Sequence, residues 1–375
     1  MPALRLYAGP KARQHMAQHG LRPQDVGVVP GAAGGPKGLV LGPLDRFIFG
    51  DWLASTTQPV HLVGASIGAW RMATACLADP AAAFLLLESE YIQQHIEAPP
   101  GQKRPSAQRV SEQFGQSLKD FYGGRVQEVL QHPRYRLHVV TSRGRHLLGR
   151  EHKLRTPLGY LGAFLTNSVH RKAMGAWLER VVFSTQNAPL PFATNDYRTR
   201  QVALCEANFN PALQASCSIP FMLQSVHNIP GAPPGAYWDG GITDYHLHLN
   251  YASDLIAGHE YAAGATGQKG LKKPALVLYP HFQKAVVPGW LDKGLKWRHG
   301  ATHFLDTMVL LAPDPAWVKA LPNGKLPDRN DFLHYSHDPA GRMQVWRRAV
   351  AASQQLADEL QEWLLRPDMA RIETL

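Results

Sequence analysis

The fold of this chain is decided by one stretch of sequence, Val60-His61-Leu62-Val63-Gly64-Ala65-Ser66-Ile67-Gly68-Ala69-Trp70-Arg71. Its first four residues form a short apolar run that predicts a buried strand, and a helical pattern follows from Ala69 to Leu77. Between them lies G-x-S-x-G, with Gly64 and Gly68 on either side of Ser66. A strand, this motif and a helix in succession form the nucleophile-elbow pattern, in which the glycines leave room for a sharp turn.

The predicted helix after Ser66 would favour negative charge at the serine. Its first N–H groups have no partner within the helix, and the positive end of the helix dipole points back at the turn. An alkoxide on Ser66, or an oxyanion beside it, would be stabilised there. A G-x-S-x-G sequence is also found in simple glycine-rich turns, so the interpretation as a nucleophile depends on further motifs.

A second strand, glycine loop and helix lie about thirty residues upstream. The loop reads Pro30-Gly31-Ala32-Ala33-Gly34-Gly35-Pro36-Lys37-Gly38 after an apolar run at 25–29. It lacks the Gly-Lys-Ser/Thr ending of a P-loop and the G-x-G-x-x-G of a dinucleotide site, so we do not expect nucleotide binding. It can still present backbone N–H donors to an anion. In an acyl hydrolase that anion is the oxygen of the tetrahedral intermediate.

The composition predicts a globular protein with a large core. Of the 375 residues 45% are hydrophobic and 18% charged. The N-terminal residues lack the apolar core of a signal peptide, and no apolar run is long enough to span a membrane. The three cysteines, Cys76, Cys205 and Cys217, are expected to be reduced thiols. These features favour a cytoplasmic location. No C-x-x-C or H-E-x-x-H spacing occurs, so a structural or catalytic metal is not expected.

The net charge of +10 indicates a partner or substrate that carries phosphate or other acidic groups. Basic residues concentrate at 103–104 and between 134 and 155, although any single one is explained better as part of a solvated face or strand edge. No RNA-binding aromatic motif or zinc-finger spacing accompanies them, so nucleic acid is not expected. We therefore predict peripheral contact with an anionic membrane, at its inner surface.

Strands alternating with helices predict an α/β fold with a largely parallel sheet. In such sheets, sites lie at the carboxyl ends of strands, where both glycine loops fall. Residues 1–24 are interpreted as a polar lead-in that contains a short helix. Residues 157–183 are interpreted as one mostly apolar helical stretch that is either core or lid, and residues 342–365 as one amphipathic helix. We divide the chain into a core, residues 1–282, and a C-terminal extension, residues 283–375, of loop and helix packed on the core.

A nucleophilic serine needs a base within hydrogen-bond reach. The chain has 18 histidines, and the downstream candidates are His246, His248, His281, His303, His334 and His337. Such abundance makes each of them weak evidence. Asp239 is more specific, because Gly240 and Gly241 after it let the turn approach another loop closely. A turn aspartate bonded to its own backbone is the alternative interpretation.

Three motifs in this order along the chain closely resemble those of the patatin-like phospholipases. They are Gly34-Gly35-Pro36-Lys37-Gly38, Gly64-Ala65-Ser66-Ile67-Gly68 and Asp239-Gly240-Gly241. The small-residue block at 215–220 also resembles that family, and the resemblance spans about residues 26–278. It implies a three-layer α/β/α sandwich with a central, largely parallel sheet. It also implies a Ser66–Asp239 dyad, with Asp239 as the base, and an oxyanion hole formed by Gly34, Gly35, Lys37 and Gly38. The implied activity is hydrolysis of lipid carboxylic esters through an acyl-enzyme, without a cofactor.

The first loop departs from the family pattern D-G-G-G-x-R-G. Lys37 replaces the arginine and loses its planar fork, and Pro36 removes one N–H donor. The substrate class therefore stays open between membrane phospholipids or other lipids and a non-membrane ester or polyester. A non-catalytic lipid-binding module on the same fold, and a Ser-His-Asp hydrolase, are the remaining alternatives.

Overall fold

The strands of the chain collect into one mixed sheet. A computed structural model describes residues 1–97, 99, 105–186, 188–251 and 276–375. The basic pair at 103–104 and Ala275, at the start of a predicted strand, lie outside these residues. The described strands are β1 Leu4–Ala8, β2 Val26–Gly31, β3 Val60–Ala65, β4 Tyr135–Gly144, β5 Leu178–Ser184, β6 Thr199–Ala203, β7 Val226–His227, β8 Ala236–Asp239, β9 Leu276–Pro280, β10 Met308–Pro313 and β11 Ile372–Thr374.

About a dozen α-helices accompany this sheet in the described part of the chain. They are α1 Pro10–His19, α2 Gly42–Phe47, α3 Ile67–Thr74, α4 Pro80–Gln93, α5 Ala107–Tyr122, α6 Val126–Leu130, α7 Arg155–Val169, α8 Glu206–Cys217, α9 Pro315–Ala320, α10 Asn330–His334, α11 Pro339–Ala352 and α12 Gln354–Leu365. Short 3₁₀ segments join several of them, including Gly35–Leu41 after β2. None of these described helices has the length and apolar character that a membrane crossing requires.

The strand order is β11-β1-β10-β9-β2-β3-β4-β5-β6, and β8 pairs with β4 and β7. The central strands β10, β9, β2, β3 and β4 all run parallel, whereas β1–β10, β4–β5, β4–β8 and β7–β8 pair antiparallel. The predicted α/β class with a mostly parallel sheet is therefore confirmed. Strands β2 and β3 are buried along their whole length, which explains their continuous apolar runs.

Three of the sequence-based element predictions are wrong. The lead-in contains β1, which pairs with β10 and β11. The helical stretch 157–183 ends at Val169, and residues from Leu178 form β5, because pairing with β4 and β6 outweighs the local helical pattern. The helix predicted for 342–365 divides at Ser353 into α11 and α12. Residues 283–375 also add β10 to the sheet, between β1 and β9.

The register along β4 positions the two motifs that carry Ser66 and Asp239. One edge of β4 pairs with β5 from His138 to Gly144. The other edge pairs with β3 as far as Ala65, which lies opposite Val140. From Thr141 onward that edge pairs with β8 instead, and Asp239 lies opposite Thr141. Because β3 and β8 run in opposite directions, their carboxyl ends meet at this point.

Candidate active site

Ser66 occupies the turn between β3 and α3 in a strained conformation. Its φ of 56° and ψ of −130° lie in a region that residues with a side chain rarely adopt. The carbonyl of Ser66 accepts hydrogen bonds from the N–H groups of Ala69 and Trp70 at 2.9 and 3.3 Å. Its own N–H donates to Ser216 Oγ at 2.9 Å, and that hydroxyl donates to the Val140 carbonyl at 2.7 Å. Ser216, which the sequence analysis did not single out, therefore ties the turn to β4.

The two elbow glycines are required by close backbone approach. A Cβ on Gly68 would lie 1.8 Å from the carbonyl oxygen of Gly31 at the end of β2. A Cβ on Gly64 would lie 2.4 Å from the Cα of Ala69 in the first turn of α3. The helix therefore sits directly on the strand ends, and its N-terminus is held at the same edge of the sheet as the glycine loop.

Asp239 lies against Ser66. The Ser66 hydroxyl donates to Asp239 Oδ2 at 2.7 Å, while Asp239 Oδ1 accepts the N–H of Gly241, also at 2.7 Å. The exposed fractions are 3% for Ser66 and 5% for Asp239. A Cβ on Gly240 would lie 2.0 Å from the Val140 carbonyl, and one on Gly241 would lie 2.6 Å from the Cβ of Ala33. Both glycines thus allow the turn to fit between β4 and the glycine loop.

Burial raises the pKa of Asp239 above its ordinary value, because a buried carboxylate loses its hydration. The guanidinium of Arg329, the Ser66 hydroxyl, the Gly241 N–H and the ammonium of Lys293 act in the opposite direction. The carboxyl group is therefore more basic than an exposed aspartate and is still surrounded by positive charge that favours its ionised form.

The glycine loop borders both turns. A Cβ on Gly38 would lie 3.2 Å from the side chain of Ile67, the residue after Ser66. Among the described residues, neither the Gly34 N–H nor the Gly35 N–H has a hydrogen-bond partner. Pro36 carries no N–H, and a 3₁₀-helix that begins at Gly35 uses the N–H of its third residue, Lys37, for its first internal bond. The unpaired donors of this loop are therefore the two adjacent glycines.

Three cations lie at the glycine loop and the dyad, and two of them, which act on Asp239, come from the predicted C-terminal extension. The Lys37 ammonium lies 5.3 Å from the centre of the Phe282 ring, and that of Lys293 lies 4.1 Å from the centre of the Tyr245 ring. Burial is the main cause that lowers the pKa of Lys37, and it lowers the pKa of Lys293 to about 8. Arg329 packs over the loop, because a Cβ on Gly35 would lie 3.0 Å from its Nε.

None of these three cations is ion-paired with a carboxylate of the described chain. Lys37 belongs to the glycine loop identified in the sequence, whereas no sequence motif marks Lys293 or Arg329. Only the packing of residues 283–375 against the loop brings them to the dyad. Unpaired cations around a buried serine are suited to an anionic group on a ligand.

The buried histidines do not contact Ser66. His246 Nδ1 lies 3.0 Å from the carbonyl oxygen of Ala285, and His248 bonds to the Val286 carbonyl and to Thr302. Burial lowers the pKa of His281 to about 3 and that of His248 to about 4. Within the described residues, no histidine hydrogen-bonds to the Ser66 hydroxyl, so the geometry gives no support to a Ser-His-Asp arrangement.

Two buried ion pairs stabilise the elements that carry this site. Arg71 of α3 donates to both oxygens of Asp45 in α2, at 2.7 Å each. This pair fastens the helix that follows Ser66 to the helix that follows the glycine loop. Arg180 of β5 makes the same bidentate contact, at 2.7 Å, with Asp244, which lies five residues after Asp239. Bidentate pairs of this kind fix orientation as well as charge.

Comparison of the sequence with protein-family models and with curated proteins gave no match. Among the residues that the structure describes, no three His, Cys, Asp or Glu side chains are grouped so that they could hold a metal ion.

Proposed function

We propose that this protein is a patatin-like serine acyl hydrolase that cleaves carboxylic esters through a Ser66–Asp239 dyad. The proposal includes the three-layer α/β/α arrangement of that class, with the described sheet at its centre. The observation that carries it is the 2.7 Å hydrogen bond from the Ser66 hydroxyl to Asp239, made at the tight turn between β3 and α3. A nucleophile bonded to a base, and a base fixed by a third group, are the signature of covalent catalysis.

In the first half of the reaction, Asp239 Oδ2 accepts the proton of Ser66 as Oγ attacks the ester carbonyl. The negative charge that develops on the carbonyl oxygen is stabilised by the unpaired N–H groups of Gly34 and Gly35 and by the N-terminus of α3. The intermediate collapses to an acyl-serine, and the leaving alcohol takes the proton from Asp239.

In the second half, Asp239 accepts a proton from water while the water oxygen attacks the acyl-serine. The same donors stabilise the second tetrahedral intermediate. Its collapse releases the carboxylic acid and returns the proton to Ser66 Oγ. The raised pKa of Asp239 supports this role, because general-base efficiency rises as the pKa of the base approaches the working pH.

The cations around the dyad favour esters that carry a negatively charged group, such as the phosphate of a phospholipid. Lys37, Lys293 and Arg329 make no direct ion pair with a carboxylate of the described chain, and the single charge of Asp239 offsets only part of theirs. A neutral polyester would leave these charges uncompensated next to the scissile bond. We therefore propose anionic lipid esters as the substrate class.

The test is hydrolysis of a p-nitrophenyl ester and of phospholipids by Ser66→Ala and Asp239→Asn, with lipid products identified by mass spectrometry. Exposed Ser336→Ala and Asp51→Asn serve as matched controls. We expect both site variants to lose at least about 1,000-fold in kcat, since each removes a member of the dyad. Fluorophosphonate labelling should map to Ser66. Retained turnover in either site variant, or failure of the folded protein to label, contradicts the proposal.

A further inference from the structure

The outward face of helix α7 is apolar although it lies in water. Five residues at and along the helix, spaced by four, three, four and four positions, form one stripe on it. Their exposed fractions lie between 53 and 86%, and they are Leu154, Leu158, Leu161, Leu165 and Val169. A surface helix normally turns charged or polar residues outward. This stripe therefore indicates a surface that contacts a membrane or another molecule.

The inward face of α7 is buried and packs beside the proposed catalytic aspartate. Tyr160 and Ala163 belong to a buried cluster with Trp238, and the rings of Tyr160 and Trp238 lie 6.1 Å apart. Trp238 immediately precedes Asp239 in β8. One helix thus separates the exposed stripe from the strand that bears the acid.

Phe221 is exposed to solvent beside α7 at an energetic cost. Its φ of 67° is unfavourable for a bulky residue, and it is 59% exposed. Its ring lies 5.9 Å from that of Tyr160, and Met222 beside it is 49% exposed. Strain at such a residue persists only when the surrounding structure holds it, and here the result is an aromatic ring presented to solvent next to α7.

A cationic cavity is lined by the segment that leads into α7. Leu148 in the segment between β4 and α7 packs against α7, where a Cβ on Gly159 would lie 2.6 Å from it. The same segment contributes to a cavity of about 340 Å³ whose charged and titratable lining residues are Arg143, Arg145, His146, Glu179, Arg198 and Arg200. Glu179 pairs with Arg143 at 2.7 Å and with Arg200 at 3.7 Å, so four guanidinium groups face one carboxylate.

We propose that the α7 stripe, together with Phe221 and Met222, docks on an anionic lipid membrane, with lipid phosphates entering the arginine cavity. A basic flank beside an apolar helix face is the pattern of proteins that lie in the membrane interface. No Asp or Glu occurs between Glu151 and Glu179, so the docking segment carries no carboxylate that would repel anionic lipid. A second copy of the chain fits less well, because it would bring two arginine-rich cavities together.

Vesicle sedimentation at low salt tests this surface directly. We expect the protein to bind phosphatidylcholine vesicles that contain phosphatidylglycerol. Leu158→Gln/Leu161→Gln should weaken the partition coefficient at least tenfold, and Leu158→Trp/Leu161→Trp should strengthen it. The matched control Leu85→Gln/Leu333→Gln changes two leucines of similar exposure on other helices, α4 and α10, and should bind like the wild type.

The charge component has its own pair of variants. Arg198→Gln/Arg200→Gln should lose binding to anionic vesicles and flatten its salt dependence, whereas Arg347→Gln/Arg348→Gln, with the same change of net charge on exposed residues of α11, should not. Absence of wild-type binding, or equal losses in the control pairs, would overturn the proposal. A dimer seen by sedimentation velocity that Leu158→Gln/Leu161→Gln dissociates, without vesicle binding, would do the same.

The docking surface does not depend on the chemistry of Ser66. The Ser66→Ala variant should bind vesicles as tightly as the wild type, since Ser66 is buried away from the stripe. Loss of binding in that variant would contradict the assignment of the surface. Full hydrolytic activity of Ser66→Ala with unchanged binding would instead refute the proposed function and leave the docking surface intact.

Discussion

Gly68→Ala should destabilise the protein and inactivate it, although helix propensity predicts the opposite. Gly68 lies in the first turn of α3, where alanine is favoured over glycine by about 1 kcal/mol. The added methyl group would be placed 1.8 Å from the carbonyl oxygen of Gly31, a distance that real Cβ atoms do not reach. The two effects therefore have opposite signs, and their magnitudes decide the outcome.

The clash is with backbone, so no flexible side chain can relieve it. To restore a contact of 3.0 Å, α3 must move away from the end of β2 by more than 1 Å. Overpacking of this kind costs about 1–3 kcal/mol, and against a central strand we expect the upper end of that range. The net loss of unfolding free energy is then about 2 kcal/mol. A shift of that size would also break the 2.7 Å bond from Ser66 to Asp239, and misplacement by about 1 Å costs roughly 100-fold in rate.

Urea denaturation and ester hydrolysis measure the two effects separately. Gly300→Ala is the matched control, because its Cβ would meet no atom within 4 Å. We expect Gly300→Ala to keep wild-type stability and kcat. If Gly68→Ala gains stability and keeps kcat/KM within twofold of the wild type, the reasoning from backbone contact is refuted. Lost stability with normal activity would refute only the link between the elbow and catalysis.

Three further predictions follow from the charged groups. Asp239 must be ionised to accept a proton, so kcat/KM should fall as the pH drops through the raised pKa of Asp239. Arg329→Gln removes a positive charge that lowers this pKa, so the fall in kcat/KM should occur at higher pH; a pH profile of the variant that is unmoved or moved to lower pH contradicts the prediction. Asp45→Ala should lower the free energy of unfolding, measured in urea, by about 3–5 kcal/mol, because it leaves Arg71 buried and unpaired. The double variant Asp45→Leu/Arg71→Met should recover most of this loss, and a loss below about 1 kcal/mol in Asp45→Ala would contradict the prediction. Folding stability should fall as the pH drops from 6.5 toward 4, because burial lowers the pKa of three histidines to about 4 in the folded chain: His61, His132 and His248. In this pH range the unfolded chain takes up protons that the folded chain excludes, and equal denaturation midpoints at pH 7 and pH 5 would contradict the prediction.

The elbow and the glycine loop were predictable because each is encoded within about a dozen residues. A buried strand, a turn flanked by small residues and a helix are local states, and the pattern at 60–71 specifies all three. The observed β3 extends two residues beyond the predicted strand at its carboxyl end. Local pattern failed where partners decide the conformation, as in β5, whose residues carry a helical pattern but pair with strands on both edges.

The approach of Asp239 to Ser66 was predictable from the motifs only by resemblance. In physical terms it depends on β4, where β3 stops opposite Val140 and β8 begins its pairing at Thr141. A change of one residue in that register would turn the carboxylate to the other face of the sheet. Nothing in the sequence near Asp239 fixes this register.

The sequence by itself determined the α/β class, the tight turn at Ser66 and the glycine loop at 30–38. Only the tertiary structure decided which groups surround them: the aspartate across β4, the cations of residues 283–375, and the apolar face of α7. Local motifs set backbone conformation through steric and hydrogen-bond rules that act over a few residues. Electrostatic and apolar surroundings come from segments far apart in the chain, so they exist only once strand order and register are fixed.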